Sequence, residues 1–270
     1  MVKKNIFSVV LCLLTLSLII TGCGKPSGNA EDVVRTYYQS GLDGNYAKSY
    51  DVLAQVNQNQ LTKEEFMEWK RTDLRVRQLK EYKVNQVKEI SDFKFGEITY
   101  SHAVEFNISE IFIDFSDDKK EIPITGTGYV VNENGQWKYL QNKNLRQGFG
   151  YTYQKLGWMT LFAKGIDKNL NDAIINLKKA AQIYEENAYA YYFLAIAYKD
   201  VGRLEDAETA ALKGLEKAGD SKNLKSNLEN ALGNICLTRR AYAEARIHYQ
   251  QALVLNPDNE YARNNMRLLR

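Results

Sequence analysis

The spacing of apolar residues changes twice along the chain, and each change marks a new kind of element. From Ala30 to Ser40, Val33, Val34, Tyr37 and Tyr38 fall on one helical face, with Gly41 or Gly44 to end it. Tyr46 to Leu53 reads as a second, short helix. Thr62-Lys63-Glu64-Glu65 is a capping box opening a third helix through Phe66, Trp69 and Leu74. From Tyr82 onward the period falls to two: Tyr82, Val84 and Val87; Ile98, Tyr100, Ala103 and Val104; Phe106, Ile108, Ile111 and Ile113; Ile122, Ile124, Tyr129 and Val131. Asn134-Gly135 then predicts a hairpin turn into Trp137-Lys138-Tyr139-Leu140. Three helices followed by four or five antiparallel strands imply an α+β domain over 30–142, its sheet curled around its helices.

The helical period returns at about residue 150. Ala188 to Pro257 reads as one helical hairpin written twice. Tyr191, Leu194, Ala195 and Tyr198 precede Ala207, Ala211 and Gly214; Leu232, Gly233 and Cys236 precede Ala245, Tyr249, Ala252 and Pro257. Small residues at Ala195, Gly233, Ala207 and Ala245 suit points where two helices cross, because short side chains let backbones approach to about 8–10 Å. This pattern resembles the tetratricopeptide repeat, which recurs about every 34 residues. Leu194 and Leu232 are 38 apart, and Gly219-Asp220-Ser221-Lys222 is expected to take up the difference as a longer turn between repeats.

Counting back one repeat from Ala188 predicts a further hairpin. It has Leu161 on its first helix and Ala173, Leu177 and Ala180 on a second that opens at Asn171-Asp172. In this register Gly157 stands at the aromatic position and Lys164 at the Tyr, with Trp158 one residue and Phe162 two residues away as replacements. Asn256-Pro257 reads as an N-cap with proline at the first helical position, opening a terminal helix through Tyr261, Met266, Leu268 and Leu269. About three repeats plus a capping helix therefore fill 150–270, an all-α solenoid.

The order of elements in 30–142 is similar to the nuclear transport factor 2-like fold. The runs Ala30-Glu31-Asp32-Val33-Val34-Arg35-Thr36-Tyr37-Tyr38 and Gly44-Asn45-Tyr46-Ala47-Lys48-Ser49-Tyr50, with the Asn134–Lys138 hairpin, resemble bacterial lipoproteins of that fold. That resemblance implies a cone-shaped sheet with an internal pocket, used elsewhere both for catalysis and for plain interaction.

The first residues belong to neither domain. Lys3 and Lys4 precede an uncharged run from Ile6 to Ile20, and the order of charged, apolar and small residues is that of a secretory signal. Ile20-Thr21-Gly22-Cys23 resembles the bacterial lipobox, which implies cleavage after residue 22 and diacylglycerol on the Cys23 thiol. A transmembrane anchor and an ordinary secretory signal are the alternatives for this stretch. Residues 23–29 would then be a short tether, of which 24–29 reach only about 20 Å when fully stretched. The resemblance implies a chain bound to the outer face of the cytoplasmic membrane. In a two-membrane bacterium the outer membrane is expected instead, because Gly24 is not the Asp of an inner-membrane retention signal.

Of the three cysteines, Cys12 leaves with the signal and Cys23 is acylated, so Cys236 stands alone and no disulfide is expected. Loss of Lys3 and Lys4 lowers the formal charge from +3 to +1. With no basic patch interleaved with aromatics, a nucleic-acid partner is not expected.

Little in the chain points to catalysis, and neither an enzyme nor a cofactor is expected. His102 lies between Ser101 and Ala103, with Glu97 and Glu105 nearby but not all on its face. His248 lies on the last repeat's second helix. Asp114, Asp117 and Asp118 lack the glycine and closing glutamate of a calcium loop.

In the tetratricopeptide resemblance the first helix of each hairpin lines a groove. The implied groove residues are Tyr189, Tyr192, Ile196 and Lys199 from the middle repeat, Asn227, Asn230 and Asn234 from the last, and Trp158 and Phe162 from the first. Tyr192 and Ile196 read equally as packing between repeats, and the asparagines as a solvated face. An aromatic and amide groove suits a peptide segment of another envelope protein. A cell-wall fragment or small molecule in the amino-terminal pocket, with the repeats as a spacer, is the alternative.

Overall fold

The computed structural model describes residues 19–20 and 24–269. The chain forms an antiparallel sheet with helices, followed by a helical repeat region. A two-residue strand β1 (Ile19–Ile20) precedes α1 (Ala30–Leu42), α2 (Tyr46–Asp51), α3 (Gln55–Gln58) and α4 (Lys63–Asp73). Then come β2 (Arg77–Phe95), β3 (Ile98–Asp114), β4 (Lys120–Glu133) and β5 (Gln136–Leu140). The long strand β3 is flanked by β2 and β4, both antiparallel, and β5 continues the sheet beyond β4. β1 lies parallel to β3 at Thr99 and Tyr100, where β4 no longer covers it. Asn134 and Gly135 both take positive φ, which the two-residue turn from β4 to β5 requires.

The space between sheet and helices is packed rather than hollow where the fold resemblance implied a pocket. Val34, Tyr37, Tyr38, Phe66, Phe106, Val130 and Tyr139 are buried together there, with Tyr37 and Tyr139 ring centroids 5.0 Å apart. α4 carries the capping box: the Thr62 hydroxyl accepts from the Glu65 amide, and the Glu65 carboxylate accepts from the Thr62 amide. Thr62→Ala is expected to lower stability by about 1 kcal/mol, read as a reduced denaturant midpoint at unchanged slope.

Residues 24–28, read as a tether, lie against the sheet. Asn132 donates to the Gly24 carbonyl (2.9 Å), Trp137 to that of Gly28 (3.3 Å), Lys25 pairs with Glu89 (2.7 Å), and Pro26 is buried.

The helical region consists of three hairpins and a last helix. These are α5 (Leu145–Phe162) with α6 (Leu170–Ile183), α7 (Ala188–Asp200) with α8 (Leu204–Lys217), α9 (Lys222–Thr238) with α10 (Tyr242–Leu255), and α11 (Glu260–Leu268). Ala195, Ala207 and Ala245 are buried, and the Gly233 Cα faces the Tyr249 ring so closely that a Cβ would lie 2.4 Å from it. Gly214 plays the same part between hairpins, against Leu228.

Four local expectations are corrected. The segment between α8 and α9 is no longer than that between α6 and α7; the extra residues form an additional turn at the start of α9, capped by Ser221. Gly157 packs against Leu177 as Gly233 does against Tyr249, so Tyr153, Leu156 and Gly157 are the aromatic, Leu and small positions of the first hairpin. The extra length there lies in the segment from Ala163 to Asn169, where Gly165 abuts the Phe115 carbonyl at a φ of +72°. α6 is capped by Asn169, ahead of the Asn171-Asp172 expected. Asn256 closes α10, and Asn259 caps α11 by accepting from the Ala262 amide. Asn171 and Asp172 lie inside the first turn of α6, and Asn256 ends the preceding helix; in each case a different asparagine has the side chain that reaches a free amide.

α5 belongs to both cores. Leu145 and Phe149 are buried with α1 and the sheet, Leu161 is buried with α6 and α7, and between them Leu156 and Met159 pack with Val76, Phe115 and Ile166. Trp69 donates to the Thr152 hydroxyl (2.9 Å) and Tyr153 to Glu68 (2.6 Å). Lys155 pairs with the buried Asp114 (2.5 Å). Among the described residues, no helix is long and apolar enough to cross a membrane.

Candidate functional site

The first helices of the hairpins are neighbours: α5 touches α7, α7 touches α9, and α11 adds a fourth at the end. Helical spacing puts Tyr189, Tyr192, Ile196 and Lys199 on one face of α7, and Asn227, Asn230 and Asn234 on one face of α9. Tyr192, Ile196, Lys199, Asn230 and Asn234, with Ala195 and Ala231 between them, line a cavity of about 40 Å³. Five of the nine groove residues therefore meet at one place, where α7 and α9 run side by side.

The aromatic residues gather at the α5 side. Phe193, which the sequence reading passed over, is the hub: its ring centroid lies 6.1 Å from Phe162, 6.3 Å from Tyr189 and 5.1 Å from Tyr192. Phe162 and Tyr189 are 43% and 47% exposed, an apolar surface that solvent covers. Trp158 reaches Phe162 at 6.3 Å but packs chiefly against the Leu156 and Met159 cluster, so it supports this surface from the domain junction. The signal missed for Phe193 was its position one residue after Tyr192, on the same aromatic run Tyr191-Tyr192-Phe193.

At the α11 side the surface is amide. Asn265 donates to the carbonyl oxygens of both Asn230 and Asn234, each at 2.9 Å, and the Tyr249 hydroxyl also donates to Asn234 (2.8 Å). Asn259 donates to the carbonyl oxygen of Asn227 (3.2 Å) and to the Ser226 hydroxyl (2.8 Å). These asparagines are thus positioned residues rather than a solvated row, and Asn230 is buried. Lys199 is paired with its neighbour Asp200 at 2.8 Å, which cancels its charge locally. Burial raises the Tyr192 phenol above its ordinary value, helped by Tyr261 and Tyr189, so it remains a proton donor at neutral pH.

The other singled-out residues lie elsewhere. The His102 ring contacts the Ser101 hydroxyl (3.3 Å), and Glu105 is turned toward Lys88 (3.6 Å). His248 has a partner on the neighbouring helix: its Nδ1 lies 2.8 Å from Glu229, tying α10 to α9. Asp114 is engaged by Lys155 and Ser116, and Asp117 by Lys120. Cys236 is half-buried on α9; burial pushes its thiol up, and Glu208 adds to this. Cys23 and the apolar run before residue 19 lie outside the described residues.

The family model described as tetratricopeptide repeat matches residues 228–259, from α9 through α10 to the Asn259 cap. No curated protein matches the chain. Among solved structures, the Arabidopsis OM64 TPR domain is similar at 21% identity and a TM-score of 0.40, over 46% of this chain and 97% of that one. The second TPR domain of human RPAP3, in complex with an HSP70 peptide, is similar at 20% identity and 0.39, over 46% and 97%. MamA is similar at 22% identity and 0.38, over 44% and 66%.

Proposed function

We propose that this chain is a lipid-anchored lipoprotein of a bacterial cell envelope that holds a peptide segment of another envelope protein in its repeat groove, without catalysis. One observation carries the proposal: aromatic side chains from α5 and α7 and amides from α9 converge on one surface, and tetratricopeptide folds serve protein interaction and peptide binding. A nuclear transport factor 2-like amino-terminal domain would then be the platform between bilayer and groove. Acylated Cys23 would hold that platform close to the membrane, because the chain is already pinned to the sheet at Gly24 and Lys25.

Two measurements test the two halves separately. Cys23→Ala is expected to abolish palmitate incorporation; undiminished incorporation would discard the lipid anchor. Phe162→Ala with Tyr189→Ala removes half-exposed rings, so each site should cost about 1 kcal/mol and leave the chain folded. Crosslinking to an envelope partner in intact cells should nevertheless fall about tenfold or more. Undiminished crosslinking would place the partner's site elsewhere. A second reading, ligand binding by the amino-terminal domain, has one concavity in its favour, an open cavity of about 510 Å³ bordered by Asn59, Phe95, Lys143 and Arg146.

A further inference from the structure

The groove amides are oriented, and the orientation selects a ligand. Asn227, Asn230 and Asn234 each have the carbonyl oxygen occupied from within the chain, by Asn259, by Asn265, and by Asn265 with Tyr249. Their Nδ2 groups make no hydrogen bond to another described residue, and none is sealed from solvent as the Asn187 amide is. α9 therefore shows the groove a row of N–H donors with their acceptors turned away. The Tyr192 phenol, kept protonated, lines the same cavity. A cavity of this size admits about one carbonyl group or one water. Lys199 offers no unpaired positive charge beside it, because Asp200 holds its ammonium.

A carboxylate would find donors here but no net charge to offset its desolvation. An ordinary backbone brings as many N–H groups as carbonyls, and any N–H directed at these donors would be left unpaired at a cost. A proline-rich backbone avoids this, since each prolyl residue supplies a carbonyl and no N–H. Its polyproline II form is already extended, so little ordering entropy is lost on docking, and its flat pyrrolidine rings suit the exposed Phe162 and Tyr189 rings. We infer that the groove takes a proline-rich, uncharged segment of a partner protein, its carbonyls on the α9 amides and its rings on the Phe162–Phe193–Tyr189 surface. This rests on the peptide-groove reading above.

The test is fluorescence anisotropy with the full chain and three labelled, end-capped peptides: a proline-rich one with a central tyrosine, the same with alanine for proline, and one with an acidic carboxy-terminus. The proline-rich peptide is expected to bind about tenfold or more tightly than the alanine peptide, with weak salt dependence. Asn230→Asp with Asn234→Asp keeps an acceptor oxygen for Asn265 and Tyr249 but removes the donors; the two charges should lower the melting temperature, and where the chain is still folded binding should weaken by about tenfold or more. Equal binding of the alanine peptide, tighter binding of the acidic one, or indifference to the Asp pair would overturn the proline selection. In those cases loss of binding in Tyr189→Ala would leave the peptide groove standing. Failure of all three peptides to bind would overturn the groove as well.

Discussion

Gly233→Ala should destabilise the repeat region by about 1–3 kcal/mol, yet become neutral or stabilising when Tyr249 is already alanine. The added Cβ would sit 2.4 Å from the Tyr249 ring, which is fully buried and hydrogen-bonded to Asn234, so the ring cannot retreat without losing that bond. Tyr249→Ala alone should be the larger loss, about 3–5 kcal/mol, from the cavity and the lost ring contacts. With the ring gone the clash disappears, and alanine's better helix propensity, about 1 kcal/mol over glycine, remains. The middle hairpin already has this arrangement: Ala195 stands at the small position with Ala211 as the counterpart of Tyr249, and both are buried. Denaturant unfolding of the four members of the cycle measures the coupling. Additive effects would show that the ring does not meet that glycine.

Lys155→Met should weaken the junction between sheet and repeats, and do so only where Asp114 is charged. Burial alone would raise the Asp114 carboxyl. The hydrogen bonds from Lys155 and from the Ser116 hydroxyl and amide outweigh it, so the carboxyl lies below its ordinary value. A carboxyl depressed in the folded chain contributes stability above its unfolded value near 4 and loses it as pH falls through the folded value. At neutral pH the substitution should cost about 1.5–3 kcal/mol, since it leaves a buried carboxylate with one partner fewer. Unfolding midpoints of the two proteins should draw together as pH is lowered below the ordinary carboxylate range. A difference that does not shrink as the solution is acidified would assign the loss to packing of the lysine stem instead.

Much of the architecture was readable from local order. The capping box at Thr62, the turn at Asn134-Gly135 and the small residues at Ala195, Gly233 and Ala245 each depend on neighbours within a few positions, and each stands where its spacing predicts. The first hairpin was misread because a fixed repeat length was assumed across a segment that had lengthened. Tyr153, Leu156 and Gly157 carried the right motif at another register. α3 escaped notice because no side chain of its own caps it; the Glu133 carboxylate, distant in sequence, accepts from the Gln55 amide. On the candidate surface, five of the nine residues chosen from spacing converge, but Phe193 was passed over and Trp158 turned out to serve the junction.

The order of residues by itself determined which stretches are helix and which strand, and where two helices can come close, because period, caps and small side chains act over one or two turns. Only the folded chain decided which way the α9 asparagines turn their carbonyls, how Lys199 comes to be paired with Asp200, and that α5 belongs to two cores at once. For the asparagines and α5 the partner comes from another element, so no local pattern announces it. For Lys199 the partner is adjacent, but adjacency alone does not set the rotamers that bring the two charges together.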